Sequence, residues 1–129
     1  MTSYAQFHQR SLTDRDAFWS EQAALIDWKT PYTQVCDYSN PPFARWFVGG
    51  TTNLCPNAVD LYLPARARQN ALIFVSTETH QERCYSFREL HAEVQRMAAT
   101  LLSLGVSKGD RVLVYMPMIP EAAFAMLAC

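Results

Sequence analysis

At 129 residues the chain has the length of one ordinary domain, or of part of a larger one. Half of the residues are hydrophobic and 18% are charged, which excludes global disorder and predicts a packed core. Eleven Lys and Arg against twelve Asp and Glu leave a formal charge of -1, which argues against a nucleic acid or an anionic membrane surface as the main partner.

The N-terminal stretch Met1, Thr2, Ser3, Tyr4, Ala5, Gln6 has neither the basic patch nor the apolar run of a secretory leader. Ser3 with Gln6, and Thr13 with Asp16, each set a hydroxyl three residues before an acceptor, so two helix starts are expected. Ala17, Phe18, Leu25, Ile26 and Trp28 continue at helical spacing, which predicts helices over roughly 3–10 and 14–27. From Thr30 to Gly50, Pro31, Pro41 and Pro42 remove backbone donors, and Asp37, Ser39 and Asn40 favour turns. The same stretch holds Tyr32, Tyr38, Phe43, Trp46 and Phe47, so we expect an irregular aromatic arm laid over another part of the protein.

Asn53 is placed to cap a helix carrying Leu54, Ala58, Leu61 and Tyr62, which Pro64 should end or kink near residue 63. Ala71–Val75 reads as a strand covered on both faces, and Arg83–Tyr85 as its hairpin partner. Ser86 and Glu89 form a capping box in front of Phe87, Leu90, Val94, Met97, Leu101 and Leu104, and Gly105 supplies a left-handed stop. After a turn at Lys108, Gly109 and Asp110, Val112–Met116 reads as a second buried strand, and Pro120 opens a last helix. Helices and strands alternate, which points to an α/β fold. The last helix pattern is still running at Cys129, as expected of a truncated chain.

The chemistry-bearing residues are scattered. Cys36, Cys55, Cys84 and Cys129 contain no C-x2-C pair, and His8, His80 and His91 do not cluster, so reduced structural thiols in a cytoplasmic protein are expected rather than a zinc site. Gly105–Asp110 has the wrong order for a phosphate loop, and Gly49, Gly50, Thr51, Thr52 has no lysine; both read as turns. Glu78 and His80 fall at a polar hairpin tip, and His91 at the border of an apolar helix face. Trp19, Trp28 and Trp46 read as packing anchors rather than base-stacking platforms, there being no basic cluster beside them. No uncharged apolar run approaches the roughly 20 residues that span a bilayer.

Longer segments carry a resemblance. Tyr85, Ser86, Phe87, Arg88, Glu89 and Leu90, followed by Val94, Ala98, Leu101, Gly105, Val106, Lys108, Gly109, Asp110, Arg111 and Val112, resemble the opening core motif of adenylate-forming enzymes. Tyr115–Cys129 is similar to the short-chain acyl-CoA synthetases among them. Ala17-Phe18-Trp19, Ile26-Asp27-Trp28, Pro41–Phe47 and Asn53–Asp60 are similar to the cap that precedes the adenylation core in acetyl- and propionate-activating members. The compact Cys36–Pro42 version favours the propionate branch, while Pro56, Leu61, Tyr62 and Pro64 depart from the family pattern.

The resemblance implies an N-terminal helical and irregular cap over residues 1–60. The first strands and helices of an incomplete AMP-binding domain would follow over residues 61–129. For the full-length parent it implies ATP, Mg and CoA as substrates with a small carboxylic acid, and AMP and pyrophosphate as products. It carries over no catalytic, cofactor-binding or metal-ligating residue, so the segment is expected to be inert alone and to bind none of these. The expected partner is the rest of the parent synthetase, with no nucleic acid and no membrane, and exposed apolar surface is expected to favour self-association. An alternative of another class is a non-catalytic interaction module that docks through its aromatic arm around Trp46 and Phe47.

Overall fold

The computed structural model describes residues 3–129, in two units, one ending at Asn53 and the other beginning at Leu54. Met1 and Thr2, with which the N-terminal stretch read for a secretory leader begins, lie outside the described residues.

In the first unit, α1 (Tyr4–Thr13) starts on the expected capping box. Ser3 Oγ accepts the Gln6 N–H at 3.3 Å, and the Gln6 side chain accepts the Ser3 N–H at 3.0 Å. The box expected at Thr13 does not form. Its hydroxyl donates to the Gln9 carbonyl at 3.1 Å inside α1, and Asp14 occupies the cap position of α2 (Arg15–Ala23) without a side-chain bond. α2 stops at Ala23 rather than near residue 27. Trp28 folds back there, and its indole Nε1–H donates to the Ala23 carbonyl at 2.8 Å, which also accepts the Ile26 N–H at 3.1 Å. Leu25 and Ile26 therefore leave the apolar stripe and are exposed, while Phe18 is only 1% exposed.

The segment expected to be an irregular arm is instead an antiparallel hairpin, β1 (Gln34–Asn40) paired with β2 (Phe43–Val48). Cys36 faces Trp46 and Asp37 faces Arg45 across the ladder. Pro41 and Pro42, joined by a cis peptide bond, sit in the connection, where no ladder donor is needed. Asp37 uses its turn chemistry locally, its carboxylate accepting the Ser39 N–H at 3.0 Å where the register shifts. Prolines that exclude a regular element in its interior are thus compatible with one on either side of them.

In the second unit the run after Asn53 is three short pieces rather than one helix: α3 (Leu54–Ala58), a 3-10 turn (Asp60–Tyr62) and α4 (Leu63–Arg66). Pro64 lies in the first turn of α4, where its missing N–H costs nothing, so it begins a helix instead of ending one. The β3 (Asn70–Ser76) and β4 (Gln81–Ser86) hairpin matches expectation in pairing. It differs in burial, because Ile73 and Val75 are exposed and β3 is covered on one face, not two.

α5 (Phe87–Ser103) opens on the Ser86–Glu89 capping box, with bonds of 3.3 and 2.8 Å. It closes as a Schellman motif: Gly105, at φ +86°, donates to Leu102 O at 3.0 Å and Val106 N–H donates to Leu101 O at 3.1 Å. Phe87, Leu90 and Val94 from α5 form the core with Val59 and with Phe124 of α6 (Pro120–Ala128), and Met97 packs against it. Leu104 is exposed, so the stripe outruns the core it serves. Val112–Met116, expected to be a buried strand, forms none among the described residues and is solvent-facing, with Leu113 89% and Tyr115 96% exposed.

Candidate functional site

The two glycine turns of the sequence are each held by local hydrogen bonds. The Gly49–Thr52 turn spends its N–H groups internally: Gly50 donates to Phe47 O at 2.9 Å and Thr51 to Thr30 O at 3.0 Å. Gly50 lies against the Trp28 ring, so close that a Cβ there would sit 2.7 Å from it. This turn is a packing joint, with the two donors an anion nest would require already used. In the Gly105–Asp110 turn, the Asp110 carboxylate accepts the Ser107 N–H at 2.7 Å and the Asp110 N–H donates to Ser107 O at 3.0 Å. A carboxylate holds the position that a phosphate would need.

Glu78 and His80 are both exposed at the β3–β4 tip, His80 in the left-handed region at φ 52°. Glu78 borders an open groove of about 570 Å³ between the hairpin tip and Pro117–Glu121, whereas His80 does not line it, so the groove does not unite them as an acid–base pair. The tryptophans act as packing anchors within their own unit. Trp19 meets Trp46 edge-on at 6.0 Å, and Trp28 meets Tyr32 at 5.3 Å and Phe47 at 5.4 Å. The chain from Phe7 through Phe18 to Trp19 ties the helices to the hairpin.

One juxtaposition was not visible in the sequence. His91 Nε2 on α5 lies 3.6 Å from Asp60 Oδ1, and that carboxylate oxygen is buried without a hydrogen-bond donor. Cys55 stands nearby, its thiol pushed up from 9.0 by burial first and by the Asp60 charge second. A raised thiol pKa suppresses the thiolate, which is the reverse of nucleophile activation. Only the i to i+5 spacing of Cys55 and Asp60 hinted at this, and His91 comes from a distant segment. Cys36, Cys55, Cys84 and Cys129 form no disulfide, and among the described residues no three His, Cys, Asp or Glu side chains form a metal-ligand group. No helix among those residues is long and apolar enough to cross a membrane.

What the geometry defines, then, is an α/β fold in two units, and comparison with known proteins places it. A family model described as "AMP-binding enzyme" matches residues 63–129, just over half of the chain, and the chain belongs to that family. A second, "Acetyl-coenzyme A synthetase N-terminus", matches residues 4–58. Among individual relatives, the chain is 59% identical over 127 residues to a propionate–CoA ligase of Salmonella typhimurium and 58% identical to one of Escherichia coli. It is 46% identical over 129 residues to an acetyl-coenzyme A synthetase of Alcanivorax borkumensis. Each alignment takes in 98% of this chain and 20% of the relative, so the chain spans about a fifth of the length of the curated relatives it matches. The solved acetoacetyl-CoA synthetase from Streptomyces lividans matches with a TM-score of 0.87 at 36% identity, over 99% of this chain and 20% of that one.

Proposed function

We propose that these residues are the N-terminal scaffold of an AMP-forming propionate–CoA ligase, and that they contribute no catalytic, cofactor-binding or metal-ligating group to it. The observation that carries the branch assignment is the gap between 59% identity to a propionate–CoA ligase and 46% to an acetyl-coenzyme A synthetase over nearly the same residues. In the whole enzyme, propionate attacks the α-phosphorus of ATP, held with Mg, to give propionyl-adenylate and pyrophosphate. The CoA thiol then displaces AMP to give the thioester. Residues 1–60 serve as the cap and residues 61–129 begin the AMP-binding domain, with the cytoplasm as the compartment. The absence of a role for Gly49–Thr52 and Gly105–Asp110 in phosphate binding is supported by their internal hydrogen bonds.

Two assays test this. The chain alone, given propionate, ATP and CoA, is expected to form no AMP, and sustained turnover would overturn inertness. A chimaera in which these residues replace the matching fifth of the Salmonella propionate–CoA ligase is expected to keep propionate activity within about tenfold, a loss of about 1.4 kcal/mol in barrier terms. A folded but inactive chimaera would sink the scaffold role.

A further inference from the structure

The loop between α4 and β3 holds a feature unconnected with the scaffold reading. A groove of about 420 Å³ is lined by Pro64, Ala65, Arg66, Ala67, Arg68, Gln69 and, from the first turn of α5, Arg88. Its charged lining is three guanidinium groups and no carboxylate. Among the described residues, none of the three makes a salt bridge, although the chain as a whole carries one more acid than base.

The walls are fixed. Gln69 N–H donates to Arg66 O at 2.9 Å, Phe87 N–H to Gln69 O at 3.0 Å and Arg88 N–H to Ala67 O at 3.1 Å, which pin the loop to the start of α5. Arg66 is oriented before any ligand arrives. Its guanidinium lies 5.2 Å from the centres of both the Tyr62 and Phe87 rings, and its Nε–H donates to the Gln69 side-chain oxygen at 2.6 Å. That bond consumes one donor and leaves the terminal NH2 fork for another acceptor. Arg68 and Arg88 are exposed and able to swing over the same space.

Three like charges around one groove repel one another unless an anion sits among them. Arginine forks match the oxygen geometry of phosphate, and a group with two or more negative charges answers three cations better than a single carboxylate does. We propose that the Arg66–Arg68–Arg88 groove binds a phosphate group bearing two or more negative charges, either free or as the ester of a small molecule.

The test is a two-dimensional amide NMR titration of the full chain with inorganic phosphate, pyrophosphate and AMP in separate arms. Ionic strength is held constant with sodium chloride, because such binding is screened by salt. Saturable shifts centred on residues 64–69 and 88 are expected, strongest with pyrophosphate if the group is taken free and with AMP if it is taken as an ester. Arg68→Gln with Arg88→Gln should weaken the affinity at least tenfold, and Arg68→Lys with Arg88→Lys should restore most of it. Shifts that do not saturate, that match the chloride control, or that persist unchanged in the glutamine variant would overturn the site. Because the lysine pair keeps the charge, a fold lost in both variants is judged on the unmutated chain, where the titration alone decides.

Discussion

Glu89 accepts two bonds from one residue, the Ser86 N–H at 2.8 Å and the Ser86 hydroxyl at 2.7 Å, while Ser86 Oγ takes the Glu89 N–H in return. Those bonds, the hydroxyl first, hold the Glu89 carboxyl below its ordinary value of 4.5. A depressed folded-state pKa means the ionised form is favoured by folding. The contribution is therefore complete above about pH 4.5 and is lost as pH falls through the lower folded value. Ser86→Ala should cost about 1 kcal/mol, the usual loss for a helix cap. Thermal melts at pH 7 and at pH 3 should show the variant's deficit shrinking at the acid pH; an equal deficit at both would mean that the carboxylate plays no part. At this scale the sequence is readable because the whole interaction fits within four residues. Cys55 shows the opposite case, its chemistry being set by burial and by Asp60. Exposed Cys84 and Cys129 should be alkylated by a neutral maleimide at pH 7 well before Cys55, as peptide mapping of a timed reaction would reveal. Faster labelling of Cys55 would mean that its thiol is activated after all.

Among elements, α5 and the β3–β4 pairing were legible, whereas the β1–β2 hairpin and the end of α2 were not. α5 has a cap, a 3.6-residue stripe and a glycine stop, each readable in sequence; the cap and stop are found where expected, and the stripe packs as far as Met97 while Leu104 is exposed. The β1–β2 hairpin was hidden because Pro41 and Pro42, which read as breakers of the whole stretch, mark only the connection between its strands. The glycines separate two physical costs. Gly105 sits at φ +86° with open space around it, so Gly105→Ala should lose about 1–2 kcal/mol from backbone strain alone. Gly50 lies outside the left-handed region but has no room, its added Cβ meeting the Trp28 ring at 2.7 Å and Tyr32 Cβ at 3.0 Å. Gly50→Ala should cost about 1–3 kcal/mol by overpacking. It should also change tryptophan emission, which Gly105→Ala should leave alone, since no tryptophan lies in the unit that contains it. Urea unfolding followed by fluorescence and by circular dichroism distinguishes the two, and identical signatures would mean the contact with Trp28 is relieved without cost.

At the scale of the whole molecule, Val112–Met116 shows what a sequence pattern can and cannot decide. Its residues are apolar and strand-forming, and they predict burial, but burial requires neighbours on both edges and both faces. Among the described residues, no backbone hydrogen bond is donated by residues 112–116, and Leu113, Tyr115 and Met118 are almost fully exposed. The β3–β4 ladder, by contrast, is paired from Asn70 to Ser86. Amide exchange follows the free energy of opening, and a group with no bond to break has none. In hydrogen–deuterium exchange of the 129-residue chain, residues 112–116 should therefore exchange within the earliest time points, while alternate amides of β3 and β4 and those of α5 are protected. An apolar segment so placed is also a template for another chain. Light scattering should show mass rising with concentration, and Leu113→Glu with Tyr115→Glu should suppress the rise without altering the exchange of α5. Strong protection of residues 112–116 at concentrations where scattering reports a monomer would mean that the segment finds a partner within its own chain. In that event its strand-like sequence would be expressed here after all.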